Sequence, residues 1–440
     1  MLPRPSRYNH CVELCSQAFL VFNALSGVLA LVDARSAREH LGLEQTGNLR
    51  APTVRLELGH AEAATVEDFL AAGFLVHPEV DELEVYRYRW YAAQLDPSVV
   101  ALTICPTMRC NMNCVYCFED RDGADMASEV ADAVVGWVQR RLERARTLNV
   151  LWFGGEPLLR PDFIEELSAR LVEAAKQVGA EYHAGIFTNG YCLGPRELGT
   201  LERSLIREVV IPLDGPEEVH EKRRPHVDGT PVFARILENG VRASEVLDVT
   251  FQCTIDRDNE QAAWQLYDFL AENGYLARAS FRPVRVFCDL LMQTRRPDSA
   301  YDSGDFDRRL IAAYRQRIGR PKIAPPCPAP YYGCTYQSHY CYAVDAHGLL
   351  YKCVKAVGRR EHAVGHITEP PGLDSPALAP WLKTDPFRRP GCRDCNLLPV
   401  CGGGCAMAYI ERGHPLCTHL RTTLHDWLIL CAEAEARLEC

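Results

Sequence analysis

The 440-residue chain is 47% apolar, carries a formal net charge of -10 and contains 20 cysteines, so it can fill two or three domain cores and disorder is not expected. Its densest cationic runs, Arg140-Arg141-Leu142-Glu143-Arg144 and Lys222-Arg223-Arg224, are short and flanked by acids, which gives nucleic-acid binding no electrostatic support. No apolar run follows Met1 and the apolar stretch 18–32 is broken by Asn23, Ser26 and Gly27, so neither a signal peptide nor a membrane span is expected, and the cysteines are placed in a reducing cytoplasm.

Residues 8–34 alternate in strand fashion around the turn Asn23-Ala24-Leu25-Ser26-Gly27, and helical, polar-rich text then runs to Phe74-Leu75-Val76. This reads as a small N-terminal α+β domain over residues 1–97. Over residues 98–300 short β-rich runs alternate with amphipathic helical windows, the pattern of an α/β fold with a parallel sheet. Six strands are expected, at 102–104, 149–153, 184–187, 209–211, 249–252 and 280–284. The helix between the first two, 126–144, sets Val130, Val134, Trp137, Val138 and Leu142 on one face. From about residue 321 the text turns rich in Pro, Cys and Gly and loses periodicity, as a domain organised by metal clusters would. A last helix is expected near 418–438, so residues 301–440 read as a linker helix, a cysteine-rich domain and a terminal helix.

Cys110-Asn111-Met112-Asn113-Cys114-Val115-Tyr116-Cys117 has the spacing C-x3-C-x2-C directly after the first expected strand. Three thiolates on one loop can converge on one cluster. Four would saturate every iron of a cubane, whereas three leave a site that the amino and carboxylate groups of S-adenosylmethionine (SAM) can chelate. Zinc is the competing reading, but structural zinc takes four ligands in paired C-x2-C units and no fourth follows closely.

The loop resembles the hallmark of the radical SAM superfamily, C-x3-C-x-aromatic-C, with Tyr116 in the aromatic place. The resemblance covers the six-strand region. It implies a partial (β/α)6 barrel, a 4Fe-4S cluster on Cys110, Cys114 and Cys117, and a Tyr116 backbone turned toward the adenine. In β/α barrels the loops after the strands gather on one face to form the active site. Gly154-Gly155-Glu156-Pro157 follows the second strand; its glycines permit close backbone approach and its carboxylate can accept from an ammonium. In the family this segment receives the amino group of SAM. Thr188-Asn189-Gly190 and Leu213-Asp214-Gly215 follow the third and fourth strands and resemble the family's ribose and carboxylate contacts. Within His220-Glu221-Lys222-Arg223-Arg224, Arg224 is by spacing the partner of the SAM carboxylate. Pro212 stands where many relatives carry Ser, which weakens the carry-over at Asp214. For Asn189, Asp214 and Arg224 a helix cap or a solvated surface charge is the competing reading.

A second group, Cys392-x2-Cys395-x5-Cys401-x3-Cys405 followed by Cys417, surrounds Gly402-Gly403-Gly404, and upstream Cys334 and Cys341 precede the Gly-x4-Cys step from Gly348 to Cys353. The combination resembles the SPASM domain. That resemblance implies two auxiliary 4Fe-4S clusters, one on Cys334, Cys341, Cys353 and Cys405 and one on Cys392, Cys395, Cys401 and Cys417, with Cys327 competing with Cys341. A zinc ribbon with two paired sites is the alternative. The nine remaining cysteines, at 11, 15, 105, 192, 253, 288, 327, 431 and 440, read mostly as small buried hydrophobes.

The resemblance implies an enzyme whose external one-electron reductant, such as a flavodoxin or ferredoxin, drives cleavage of SAM to a 5'-deoxyadenosyl radical that takes hydrogen from a peptide or protein substrate. A thioether or carbon–carbon crosslink, or a related modification, is the expected product. Formylglycine formation in a sulfatase is disfavoured, because the branch that performs it places an Asp base straight after the Gly-x4-Cys cysteine, where Val354 stands here. A multi-cluster electron carrier is the non-catalytic alternative, and Gly154-Gly155-Glu156-Pro157 speaks against it. The N-terminal segment resembles winged-helix elements that grip a leader peptide by strand addition, with a packing appendage as the competing reading.

Overall fold

The computed structural model describes residues 2–43, 65–119, 122–286, 299–318 and 334–435. The chain divides into two compact units. One comprises Met1–Gln94, Asp302–Thr335 and Thr384–Cys440, the other Leu95–Tyr301 and Tyr336–Lys383.

In the first unit, β1 (Arg4–Pro5) pairs antiparallel with β5 (Leu75–Val76), and β2 (Asn9–Cys15), β3 (Ala18–Asn23) and β4 (Leu29–Asp33) form an antiparallel meander. β3 is buried along its whole length because its side chains alternate between two apolar clusters. Phe19 and Val21 join Phe69 and Phe74, whereas Leu20 and Phe22 join Leu420, Leu424 and Leu428 of the terminal helix Leu420–Glu435. The helix Ala34–Leu41 begins where Asp33 accepts the Arg35 and Ser36 amides and stops at left-handed Gly42. The helical text expected over 44–64 lies outside the described residues. In the helix Glu82–Gln94, Leu83, Tyr86 and Trp90 pack on Phe387 and Leu398, with the Trp90 and Phe387 rings 5.6 Å apart edge to face. The beginning of the chain and its cysteine-rich end therefore share one core.

The second unit holds a nine-stranded sheet. Its strands are β6 (Val99–Ile104), β7 (Thr147–Trp152), β8 (Glu181–Phe187), β9 (Ile206–Pro212), β10 (Asp248–Ile255), β11 (Ala279–Arg285), β12 (Cys341–Val344), β13 (Leu349–Tyr351) and β14 (Gly365–His366), in the order β11-β10-β9-β8-β7-β6-β12-β13-β14. All six expected strands are present, as β6 to β11, each parallel to its predecessor. Helices such as Ser128–Leu142 and Pro161–Val178 connect them. The sheet is a partial barrel: among the described residues β11 pairs only with β10, and that edge position accommodates Pro283, which has no amide hydrogen to give a second neighbour. On the other edge β12 lies parallel to β6, and β13 and β14 follow antiparallel. β12 comes from the text without periodicity. All four of its residues are buried, so no polar–apolar alternation marks it. Because β6 to β11 run parallel, the loops after their C-terminal ends lie along one edge of the sheet.

Candidate metal centre and cofactor site

The Cys110–Cys117 loop follows β6 and is held by three neighbouring segments. On its approach, the Met108 amide donates to the Ala124 carbonyl at 2.7 Å and the Met126 amide to the Pro106 carbonyl at 2.9 Å. Within the loop, Asn113 and Val115 donate to the carbonyls of Pro225 and Arg223 at 2.8 and 3.0 Å, and Val227 donates back to Asn111 at 3.0 Å. The segment after the helix Glu217–Arg223 thus lies beside the cysteines like an added strand. Cys110 and Cys114 are half-buried and Cys117 is exposed.

The third segment is Gly154-Gly155-Glu156, directly beyond β7. The amides of Gly155 and Glu156 donate to the carbonyls of Thr107 and Arg109 at 3.2 and 2.8 Å. A methyl group on Gly155 would sit 2.2 Å from the Arg109 oxygen, and one on Gly154 2.6 Å from that of Thr107. The glycines therefore let this turn lie directly on the cysteine loop's backbone. Glu156 is 1% exposed. Its carboxylate accepts from the Thr188 hydroxyl and the Asn189 amide, both at 2.7 Å, and from the Leu158 amide at 3.0 Å. Burial pushes its pKa up and these three bonds oppose the rise. Three of about four acceptor positions are filled, so the side chain ties the turn after β7 to the turn after β8.

Asn189 completes that tie. Its amide nitrogen donates to Asn111 Oδ1 at 2.7 Å, and Asn111 in turn faces the Cys192 sulfur at 3.7 Å. Asp214, after β9, is fully buried; it accepts from the Thr254 amide at 3.0 Å and from the Tyr116 hydroxyl. The same hydroxyl accepts from Arg224 Nη1 at 2.6 Å. Tyr116, Asp214 and Arg224 are therefore one network, and burial drives the Tyr116 phenol well above its ordinary pKa. Both adjacent arginines face this network. Arg223 is buried, bound to both oxygens of Asp256 at 3.1 and 3.0 Å and paired with Asp214 at 3.7 Å, whereas Arg224 binds the Tyr116 hydroxyl and lies within electrostatic reach of Cys114. Asp256 was not singled out by sequence reading, and its place at the end of β10 is the signal that marks it. An open pocket of about 480 Å³ borders the loop, lined by Met108, Arg109, Cys110, Asn111, Gly123, Leu159 and Val227.

In the first unit Cys392, Cys395, Cys401 and Cys417 line a single pocket together with Arg421. Gly402, Gly403 and Gly404 all have left-handed φ, at 60°, 89° and 80°, a run that side chains would strain. The triplet is thus a required conformation between Cys401 and Cys405. Among the described residues no group of three His, Cys, Asp or Glu side chains is arranged to hold one metal ion; thiolates around a single zinc stand about 3.8 Å apart, and those around a cubane stand farther. Of the other set, Cys334 is exposed and Cys405 half-buried in the first unit, while Cys341 opens β12 and Cys353 follows β13 in the second. Cys105, Cys253 and Cys431 are fully buried, as expected of packing cysteines. Cys11, Cys15 and Cys192 are half-buried. Cys288, Cys327 and Cys440 lie outside the described residues. No helix among the described residues is long and apolar enough to cross a membrane.

The Radical SAM superfamily model matches residues 104–270, the span from the end of β6 into the helix after β10. The mycofactocin maturase MftC of Mycobacterium ulcerans (strain Agy99) is 28% identical over 339 residues, covering 72% of this chain and 85% of its own length. The serine-type anaerobic sulfatase-maturating enzyme of Klebsiella aerogenes is 26% identical over 325 residues, covering 67% of this chain and 76% of its own. The crystal structure of Streptococcus suis SuiB bound to precursor peptide SuiA superposes with a TM-score of 0.53 at 15% identity, over 94% of this chain and 98% of that one. With the partial barrel, the cysteine loop and its glycine turn in place, these matches identify residues 104–270 as a radical SAM domain, of a family that works with a 4Fe-4S cluster and SAM, and the chain as an enzyme.

Proposed function

We propose that the chain is a peptide-modifying maturase with three 4Fe-4S clusters. The first is held by Cys110, Cys114 and Cys117; the auxiliary pair is held by Cys334, Cys341, Cys353 and Cys405 and by Cys392, Cys395, Cys401 and Cys417. The carrying observation is the construction around the cysteine loop, where the Gly154-Gly155 turn and the 223–227 segment close on its backbone from separate strands. A mere electron carrier has no use for such a cradle. When bound, the cluster and SAM supply a 5'-deoxyadenosyl radical able to take hydrogen from an unactivated carbon.

The chain's own residues bind and orient. Glu156 has one acceptor position left for the SAM ammonium, and Arg224, braced by Tyr116, offers a guanidinium for the SAM carboxylate. Asn189 and Asp214 fix the turns on either side, with Asn189 toward the ribose. The pocket at Cys110 has the volume of a small-molecule site. Peptide modification is supported by maturases among the sequence relatives, the two described above included. Val354 after Cys353 favours a crosslink or related peptide maturation over formylglycine. The N-terminal segment is proposed to grip the substrate's leader, and a small electron-transfer protein such as a flavodoxin or ferredoxin to supply the electron.

The test is anaerobic incubation of the reconstituted enzyme, SAM and dithionite with short peptides encoded beside its gene, followed by mass spectrometry. Loss of two hydrogens without a reactive aldehyde supports crosslinking. An aldehyde instead supports the sulfatase-type reaction, and SAM cleavage with every peptide unchanged sinks the peptide assignment.

A further inference from the structure

The pocket lined by Cys392, Cys395, Cys401 and Cys417 has two arginines beside it whose placement packing alone does not explain. Arg421 lies on the terminal helix, lines the pocket and directs Nη1 to the Cys417 sulfur at 3.5 Å. Arg389 precedes the helix Pro390–Arg393 that carries Cys392. Its Nη2 donates to the Thr384 carbonyl at 2.9 Å, and its guanidinium lies 4.6 Å from the centre of the Tyr409 ring. The same Nη2 stands 2.6 Å from where a side chain on Gly403, another lining residue, would begin.

Arg389 Nε and Nη1 are sealed from solvent with no hydrogen-bond partner among the described residues. Buried guanidinium donors left unpaired are costly. Two such donors on a guanidinium that borders this four-cysteine pocket at Gly403 call for an anionic acceptor, and a cluster with its thiolates is one. Arg421 stands at the Cys417 sulfur and Arg389 caps the helix that carries Cys392, so the two cations approach different ligands of the same set.

We propose that Arg389 and Arg421 form a cationic cradle that donates hydrogen bonds to the sulfurs of the cluster on Cys392, Cys395, Cys401 and Cys417 and thereby sets its reduction potential. The inference rests on the reading of these four cysteines as cluster ligands. Reduction adds one electron to the cluster and neither makes nor breaks a bond. The reduced form carries one more negative charge, so each nearby guanidinium stabilises it more than the oxidised form and raises the potential. The cradle would make this cluster a readier electron acceptor than four cysteines alone.

The experiment is a dithionite titration of the full-length, anaerobically reconstituted protein with redox mediators, followed by electron paramagnetic resonance, with iron and sulfide counted in parallel. The signal that disappears in Cys395→Ala identifies the cluster. Arg421→Gln, on the exposed side, should keep full iron content and lower the equilibrium constant for reduction severalfold. Arg389→Gln should lower it by about tenfold or more, a shift of about 59 mV for one electron. Arg389→Lys, which keeps the charge and loses the fork, should fall between. Unchanged potentials in Arg421→Gln and Arg389→Lys at full iron content overturn the cradle alone. A wild-type protein with no signal that depends on Cys395 overturns the cluster reading and the cradle with it.

Discussion

Tyr116 occupies the aromatic place of the cysteine loop, yet the contacts described above belong to its phenol, which joins Asp214 to Arg224. Tyr116→Phe should therefore weaken SAM binding by about tenfold or more, the loss of a hydrogen bond to charged partners, while iron content stays constant. Equilibrium binding of SAM to the reconstituted protein measures this. His220 offers a pH test. It is fully buried and burial lowers its pKa to about 4. Above the ordinary value of 6.5 it is neutral whether folded or unfolded. As pH falls from 6.5 toward 4 only the unfolded chain takes up the proton, so stability is lost, by about 2 kcal/mol between pH 7 and pH 5. His10 and His339 are lowered by burial too, so urea midpoints at the two pH values should fall in both proteins, and by about this amount less in His220→Gln than in the wild type. At this scale the candidate residues are readable in the sequence, because Cys, Gly and Glu at fixed spacing imply chemistry directly. The Asp256 partner of Arg223 is not, since nothing local in the sequence says which distant carboxylate folds up against it.

At the scale of elements, the site depends on backbone meeting backbone. Gly155→Ala pushes a methyl group against the Arg109 carbonyl and should destabilise the second unit by more than about 3 kcal/mol. Gly179, by contrast, has left-handed φ, at 70°, and nothing within 4 Å, so Gly179→Ala should cost about 1 kcal/mol. Thermal or urea unfolding of the pair separates steric need from conformational preference. The six parallel strands were legible because each is a β-rich run followed by an amphipathic helix. β12 was not. Its four buried residues lie in irregular text, and its strand character comes from the exposed edge of β6, a partner more than 200 residues earlier in the chain.

At the scale of the molecule, the shared core of the N-terminal sheet and the terminal helix brings together segments that a left-to-right reading assigns to separate domains. Apolar alternation shows that β3 has two buried faces without naming what covers each. With three clusters the reconstituted chain should hold about twelve irons, and Cys395→Ala should lose about four of them while retaining SAM cleavage, as iron and sulfide analysis will show. The most direct test of the central claim is the formation of 5'-deoxyadenosine from SAM by the anaerobically reconstituted protein with dithionite. Production of 5'-deoxyadenosine and methionine that vanishes in the Cys110→Ala, Cys114→Ala and Cys117→Ala variants is the result predicted. Iron incorporation without SAM cleavage, or cleavage that survives loss of these cysteines, would contradict it.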